Sequence, residues 1–122
     1  MRYSKIKKLG LGLVATLLFV VVSFAVPKDA TYNGEIMDSQ CAMKDGHTAM
    51  MKSLGMGTTR MCTIACANGS GKYVLYDAAT KTTYQLDDQD KPHTFAGAKV
   101  QVTGTLDGAT KTIHVTAINK AS

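Results

Sequence analysis

The sequence predicts a small, mainly β domain in which two short helices interrupt a set of five strands. Two observations lead to this prediction. After residue 30, apolar and polar residues alternate along several short segments, which is the two-residue period of a half-buried strand. Between residues 41 and 66 the alternation disappears, and this segment contains all three cysteines and most of the methionines. The change in composition places a helical segment after the first strand.

The chain begins with a segment that is typical of a secretory signal sequence. Its 122 residues carry a net charge of +5, and four of the basic side chains precede an apolar run over residues 9–26. Small residues at Ser23 and Ala25 match a signal peptidase site. We therefore expect residues 1–25 to be a signal peptide and residues 26–122 to be a single domain, exported to the periplasm or the extracellular space. The alternative is a retained membrane anchor, because the run is long enough to span a bilayer. The protein would then contact the membrane through this segment alone.

Removal of the signal segment removes most of the positive charge. Ten basic and nine acidic side chains remain, a net charge of about +1. Nucleic-acid binding depends on many Lys and Arg side chains that neutralise phosphates, so the composition argues against a nucleic-acid partner. A domain of this length holds one modest core. We expect a monomer, with an unidentified protein or small molecule as its partner.

The first strand and the helical segment can be assigned in chain order. The strand covers residues 31–37, and the Asp38-Ser39 pair offers side chains that cap a helix or form a turn. One short helix is expected over residues 48–54, where a glycine ends it. A second is expected over residues 60–67, with Thr59 as its N-cap.

The next two strands are predicted to form a hairpin. Residues 72–76 and 82–86 are rich in Tyr, Val and Thr, and they flank a loop of about five residues. Residues 87–92 follow as a polar connection, in which Pro92 interrupts any strand pairing.

The last two strands suggest that the sheet is strongly curved. Residues 99–106 alternate strictly between apolar and polar, and their partner covers residues 113–117. Gly104 within the first of these strands predicts a bulge that curls the sheet. The fold class is therefore a small five-stranded curved antiparallel sheet or an OB-like barrel, with a two-helix insertion after strand one. The usual OB order has its helix after strand three, and the alternative architecture is an open α+β sheet.

Three cysteines and one histidine form the candidate chemical site: Cys41, His47, Cys62 and Cys66. Three thiolates and one imidazole give the ligand number of a closed tetrahedral metal site. On a regular helix the Cβ atoms of Cys62 and Cys66 would be about 5–6 Å apart, whereas a disulfide needs about 3.8 Å. The pair therefore shares a metal ion more easily than a bond. We expect the metal to be copper or zinc, and the neighbouring methionines shift the expectation toward copper because thioether donors select copper(I).

A structural disulfide is an alternative explanation of the same residues. Cysteines in an oxidising compartment tend to pair. A bond from Cys41 to Cys62 or Cys66 would tie the helical segment to the end of the first strand, and it would leave one thiol free and His47 on the surface.

Two functions other than metal binding remain as alternatives. A disulfide-stapled OB-like module could bind a ligand or peptide on a face that carries Tyr73, Tyr76 and Tyr84. A thiol–disulfide oxidoreductase would instead use Cys62 and Cys66, and it requires an accessible thiolate of low pKa.

Four segments of the chain form a distinctive combination. They are Gly34-Glu35-Ile36-Met37-Asp38-Ser39-Gln40-Cys41 with a His six residues later, Cys62-Thr63-Ile64-Ala65-Cys66, Gly71-Lys72-Tyr73-Val74-Leu75, and residues 97–106. Together they resemble a family of small exported bacterial proteins known only as a domain of unknown function. The resemblance implies export, a compact β-rich domain and a recurrent Cys/His group, and it brings no activity with it.

The remaining residues do not suggest catalysis. The sequence contains none of the short motifs of serine hydrolases, phosphate-binding loops or zinc peptidases. His93 and His114 lie outside the Cys/His group, and we expect both to be solvated. We predict that the protein is not an enzyme.

Overall fold

The structure, a computed structural model, describes residues 19–23 and 28–122. Most of the predicted signal peptide and its cleavage site lie outside the described residues. No helix within the described part is both long and apolar enough to cross a membrane. The elements in chain order are β1 (Ala30–Asp38), α1 (Ser39–Met43), α2 (Thr48–Leu54), α3 (Thr59–Asn68), β2 (Tyr73–Asp77), β3 (Thr82–Leu86), α4 (Lys91–Thr94), β4 (Lys99–Asp107) and β5 (Thr112–Lys120).

The five strands close into a ring in the order β1-β2-β3-β5-β4, with β4 paired back to β1. This confirms the mainly β fold class, with the sheet closed into a ring. All neighbouring strands are antiparallel except β3 and β5, which are parallel. The expectation of a purely antiparallel sheet was wrong at this pair. A closed ring with an odd number of strands cannot alternate direction everywhere, so at least one pair must be parallel.

Strand β1 bends because it changes partner along its length. Its first part pairs with β4 over residues 30–35, and its last part pairs with β2 over residues 35–38. Glu35 takes part in both pairings, opposite Lys99 on one side and Tyr76 on the other. The predicted bulge at Gly104 is also present as a register shift in the β4–β5 pair. Both features curl the sheet so that it closes.

The inside of the ring is an apolar core. Its buried members include Ile36, Leu75, Val100, Val102 and Ile113, all fully buried. This core leaves the helical segment outside the ring, with its own separate cluster of buried sulfurs.

The prediction of a binding face that carries Tyr73, Tyr76 and Tyr84 is wrong. Tyr73 lies in the main core and Tyr76 in a neighbouring cluster, and both are almost fully buried. Their hydroxyls reach polar partners at the edge, His93 Nδ1 at 2.7 Å and Asp45 Oδ1 at 2.8 Å. A tyrosine presents an apolar ring and a polar tip, which suits it to this edge-of-core position.

The helical segment after β1 contains three helices. Helix α1 begins directly after Asp38, whose side chain caps it, and α2 covers the predicted residues and ends at a left-handed Gly55. Helix α3 is capped by the side chain of Thr58, one residue before the predicted Thr59. The Thr58 hydroxyl accepts a hydrogen bond from the Met61 amide at 3.1 Å, which fixes the start of α3.

The connection between β3 and β4 contains a short helix that the sequence analysis missed. Pro92 was taken as a break, but it lies in the first turn of α4, where its missing N–H costs nothing. Helix α4 therefore lies between strands three and four, where the usual OB order has its helix.

Gly97, just after α4, supports the start of α3. Its φ of +74° is in the left-handed region, and a Cβ added there would be 2.6 Å from the Arg60 amide nitrogen. The Thr59 hydroxyl donates to the Gly97 carbonyl at 3.2 Å, and Arg60 Nη1 donates to the Thr94 carbonyl at 3.1 Å. These contacts anchor α3 against the ring, and α3 carries Cys62 and Cys66.

Candidate metal centre

Four buried side chains converge where β1 meets the helical segment: Asp38, Cys41, His47 and Cys62. One potential ligand atom from each lies within 4.8 Å of those of the other three. Asp38 ends β1, Cys41 is in α1, His47 immediately precedes α2, and Cys62 is in α3. The group therefore connects the ring to all three helices of the segment.

The Asp38 carboxylate is held by the backbone of α1 through one of its two oxygens. Oδ2 accepts hydrogen bonds from the amides of Gln40 and Cys41, both at 3.0 Å. The other oxygen, Oδ1, is buried and has no hydrogen-bond partner among the described residues. A buried carboxylate oxygen without a partner is costly, so Oδ1 is available to a cation.

The loop between α1 and α2 carries the histidine inward. The Gly46 amide donates to the Cys41 carbonyl at 3.0 Å, and the Met51 amide donates to the His47 carbonyl at 2.8 Å. These bonds fix the backbone on both sides of the imidazole. His47 is only 7% exposed, so the surface position that the disulfide alternative gave it is wrong.

Glu35 determines which imidazole nitrogen faces the group. His47 Nε2 lies 2.6 Å from Glu35 Oε1. A carboxylate can only accept, so we assign the imidazole proton to Nε2. Nδ1 is then left with a lone pair, and it is buried without a hydrogen-bond partner among the described residues. A carboxylate behind a ligating histidine is the usual second-layer arrangement at zinc sites.

The two cysteine sulfurs of the group are in contact but not bonded. Cys41 Sγ and Cys62 Sγ are 3.7 Å apart, and all three cysteines are free thiols. The disulfide alternative is therefore not present in this structure. Two sulfurs that each lie 2.3 Å from a tetrahedral metal ion would be about 3.8 Å apart. The observed separation matches that arrangement.

The surroundings favour the protonated form of the thiols while no cation is present. Burial, followed by the hydrogen bond and negative charge of Asp38, raises the pKa of the Cys41 thiol. Burial, again followed by the charge of Asp38, raises the pKa of the Cys66 thiol. A metal cation reverses this preference because it stabilises thiolates.

Cys66 lies beside the four-residue group and not in it. It is 8% exposed and belongs to the same buried sulfur cluster as Cys41 and Cys62. Three partly buried methionines pack against that cluster: Met50, Met51 and Met56. The structure thus brings together three of the four predicted ligands, and the Asp38 carboxylate takes the place of Cys66 as the fourth member of the group.

The sequence analysis missed Asp38 as a ligand candidate because it assigned the residue to capping alone. Its position three residues before Cys41 contains the missing signal. A side chain that caps the first turn of α1 must lie beside the first residues of that helix, and Cys41 is one of them.

The other predicted features of this region have mixed outcomes. Cys62 is fully buried and Cys66 nearly so, which gives no accessible thiolate to an oxidoreductase. His93 and His114 are exposed, as expected, although each has a polar partner. His93 accepts from or donates to the Tyr73 hydroxyl, and His114 Nδ1 lies 3.1 Å from Asp87 Oδ2.

Comparison with known proteins identifies similarity in the C-terminal part of the chain. Residues 67–121 match the family model described as "Protein of unknown function (DUF5818)". Neither a curated protein nor a solved structure matches the chain. The matched segment contains β2 to β5 and α4, and it begins directly after Cys66. The expected resemblance to a family of unknown function is therefore confirmed, over a segment that follows the Cys/His motifs: residues 67–121 are similar to the family described as DUF5818.

Proposed function

We propose that the protein binds a transition-metal ion, Zn²⁺ in the first instance, through Asp38 Oδ1, Cys41 Sγ, His47 Nδ1 and Cys62 Sγ. One observation carries the proposal. Two buried polar atoms without hydrogen-bond partners among the described residues, Asp38 Oδ1 and His47 Nδ1, belong to the same compact group as two free thiols. A single cation would satisfy both polar atoms and stabilise both thiolates.

The donor set favours zinc over copper. One carboxylate oxygen, one imidazole nitrogen and two thiolates are all ordinary zinc ligands, and together they give the four-coordinate geometry that zinc prefers. Copper(I) selects soft sulfur donors, which would draw on Cys66 and the methionines instead of Asp38. Copper is therefore the competing metal, and it would use a different ligand set.

The proposed role is structural or storage-related, not catalytic. Four protein ligands fill a tetrahedral site and leave no position for a substrate or a reactive water. The ion would connect the end of β1 to α3 through Asp38 and Cys62. This would stabilise a helical segment in which α2 has no buried residue of its own.

We also propose that the protein binds the ion outside the cytoplasm. The charged and apolar N-terminal segment supports export through a signal peptide. The thiols would then be in an oxidising environment unless a metal ion occupies them.

Metal content after anaerobic purification tests the proposal. We expect one zinc ion per chain in the wild type, and loss of that zinc in Cys62→Ser and His47→Ala. The matched controls are Cys66→Ser and His114→Ala, which change the same residue types outside the four-residue group and should retain zinc. A wild-type protein that takes up no zinc when the ion is supplied to the reduced protein would refute the proposal. Loss of zinc in Cys66→Ser would refute the ligand set.

Competition with copper(I) under the same conditions distinguishes the two metals. We expect Asp38→Asn to weaken zinc binding and to leave copper(I) binding unchanged. Stronger dependence of copper(I) than of zinc on Asp38 would contradict the assignment.

A further inference from the structure

We propose that the zinc-bound thiolates and a Cys41–Cys62 disulfide are alternative states of the same site, so that oxidation by a hydroperoxide closes the bond and releases the metal ion. This inference rests on the proposed function, because it concerns the regulation of that metal site.

The two ligand sulfurs are already positioned to react with each other. Cys41 Sγ and Cys62 Sγ are 3.7 Å apart, on α1 and α3. A disulfide bond is about 2.05 Å long. Helix α1 is only five residues long, so a small displacement of this helix brings the sulfurs together.

The third thiol is less suited to this bond. Cys62 and Cys66 lie on the same helix, where their Cβ atoms are about 5–6 Å apart. A disulfide requires about 3.8 Å between these atoms, so α3 would have to unwind. Cys41 is on a different helix and has no such restriction. We therefore assign the bond to Cys41 and Cys62, with Cys66 remaining a free thiol.

The disulfide and the metal exclude each other. Both sulfurs serve as zinc ligands in their thiolate form, and a disulfide has no thiolate. Oxidation would therefore remove two of the four ligands at once. Asp38 and His47 would remain, and two ligands do not retain a zinc ion that a closed four-ligand site holds.

One hydroperoxide molecule accepts the two electrons that are released when one disulfide forms. One thiolate sulfur attacks the terminal peroxide oxygen, the O–O bond breaks, and the sulfur becomes a sulfenic acid while the alkoxide or hydroxide leaves and takes up a proton. The second thiolate then attacks the sulfenic sulfur, the S–S bond forms, and hydroxide leaves as water after protonation. Two electrons pass from the two sulfurs to the peroxide, and Zn²⁺ leaves unchanged in oxidation state.

Helix α2 provides the route by which a small oxidant reaches the buried sulfurs. None of its residues is buried, and it covers the sulfur cluster only through the half-buried Met50 and Met51. An element with so little buried apolar surface opens more easily than the core of the ring. Opening of α2 would expose the cluster without unfolding the ring.

Peroxide treatment of the zinc-loaded full-length protein tests the inference. Released zinc is measured with a chromogenic chelator, free thiols are alkylated, and the disulfide is located by peptide mapping. We expect one zinc ion released for each Cys41–Cys62 disulfide formed, with Cys66 alkylated. Thiol reductant should restore zinc binding.

A control variant and the zinc content before oxidation distinguish failure of this inference from failure of the proposed function. Cys66→Ser removes the spare thiol, and it should release zinc with the same stoichiometry as the wild type. Zinc that stays bound while the thiols remain reduced would overturn the inference, as would a disulfide that includes Cys66. A protein that takes up no zinc before oxidation would instead overturn the proposed function.

Discussion

Glu35 and His47 form the contact that links the strand ring to the candidate metal centre. Glu35 Oε1 and His47 Nε2 are 2.6 Å apart, and the Glu35 side chain is 21% exposed whereas His47 is 7% exposed. Glu35 also occupies the position at which β1 passes from pairing with β4 to pairing with β2. The bend of the strand therefore determines where the carboxylate lies, and the carboxylate determines which imidazole nitrogen faces the sulfurs.

Replacement of Glu35 by Gln should weaken zinc binding without removing a ligand. The amide can still contact Nε2, but it no longer selects the tautomer that leaves Nδ1 unprotonated. Loss of such a second-layer carboxylate typically lowers metal affinity by about 10–100-fold. Competition with a chelator of known affinity measures the change. Asp90→Asn, which removes an exposed carboxylate with no cap hydrogen bond, is the control and should bind zinc like the wild type. An unchanged affinity in Glu35→Gln would show that the contact does not orient a ligand.

Replacement of Asp38 by Asn should separate capping from metal binding. Asn is as good an N-cap as Asp, so its side-chain oxygen can still accept from the Gln40 and Cys41 amides. The second oxygen becomes an amide NH₂, which cannot ligate a cation. We expect zinc affinity to fall by more than the 10–100-fold of a second-layer loss. The stability of the zinc-free protein should change little, because the Asn side chain keeps the cap and leaves one buried polar group without a partner, as Asp38 does. Equal zinc affinities of variant and wild type would exclude Asp38 as a ligand.

Replacement of Gly97 by Ala should destabilise the fold and displace α3. The residue has φ +74°, and its Cβ would be 2.6 Å from the Arg60 amide nitrogen, a backbone atom that cannot move independently. Backbone strain of this kind costs about 1–3 kcal/mol. Urea unfolding of the zinc-free protein measures the loss. Gly108→Ala is the control, because its Cβ would meet nothing within 4 Å and its φ is not positive. A Gly97→Ala protein as stable as the wild type would contradict the packing described for α3.

The stability of the zinc-free protein should fall in acid, in part through Asp87. The amide of Val115 and then the hydrogen bond and charge of His114 lower the pKa of this carboxyl. A carboxyl whose pKa is lowered by folding stabilises the folded state above its unfolded pKa of about 3.9, and that contribution is lost as the pH falls through the folded pKa. We therefore expect the free energy of unfolding to decrease below about pH 5. The decrease should be smaller in Asp87→Asn than in Asp90→Asn, measured by urea titrations at several pH values. Identical pH profiles of the two variants would contradict this role of Asp87.

Much of the fold was predictable because its signals are local. The strict alternation along residues 99–106, the glycine at the bulge and the glycine at the end of α2 each specify local backbone geometry. Helix α4 was missed because proline prevents strand pairing and also favours the first turn of a helix, and only the tertiary context selects between the two. The parallel β3–β5 pair was missed because it depends on ring closure, which no single segment encodes.

Three of the four residues of the candidate site could be predicted from the sequence, but the fourth, Asp38, was not. The spacing of Cys41, His47 and Cys62 drew attention to the correct region. The choice between Asp38 and Cys66 depends on which side chain points from the end of β1 and from α3 toward the same point. That orientation comes from the capping of α1, which is a local contact, and from the contact of α3 with Gly97, which is a tertiary one.

X-ray absorption spectroscopy of the zinc-loaded, reduced protein is the most direct test of the central claim. The account predicts two sulfur ligands at about 2.3 Å and two nitrogen or oxygen ligands at about 2.0–2.2 Å. In Asp38→Asn, any remaining zinc should keep both sulfurs and lose one of the lighter ligands. Three sulfur ligands and one nitrogen in the wild type would instead assign Cys66 to the site, and would contradict the ligand group built on Asp38.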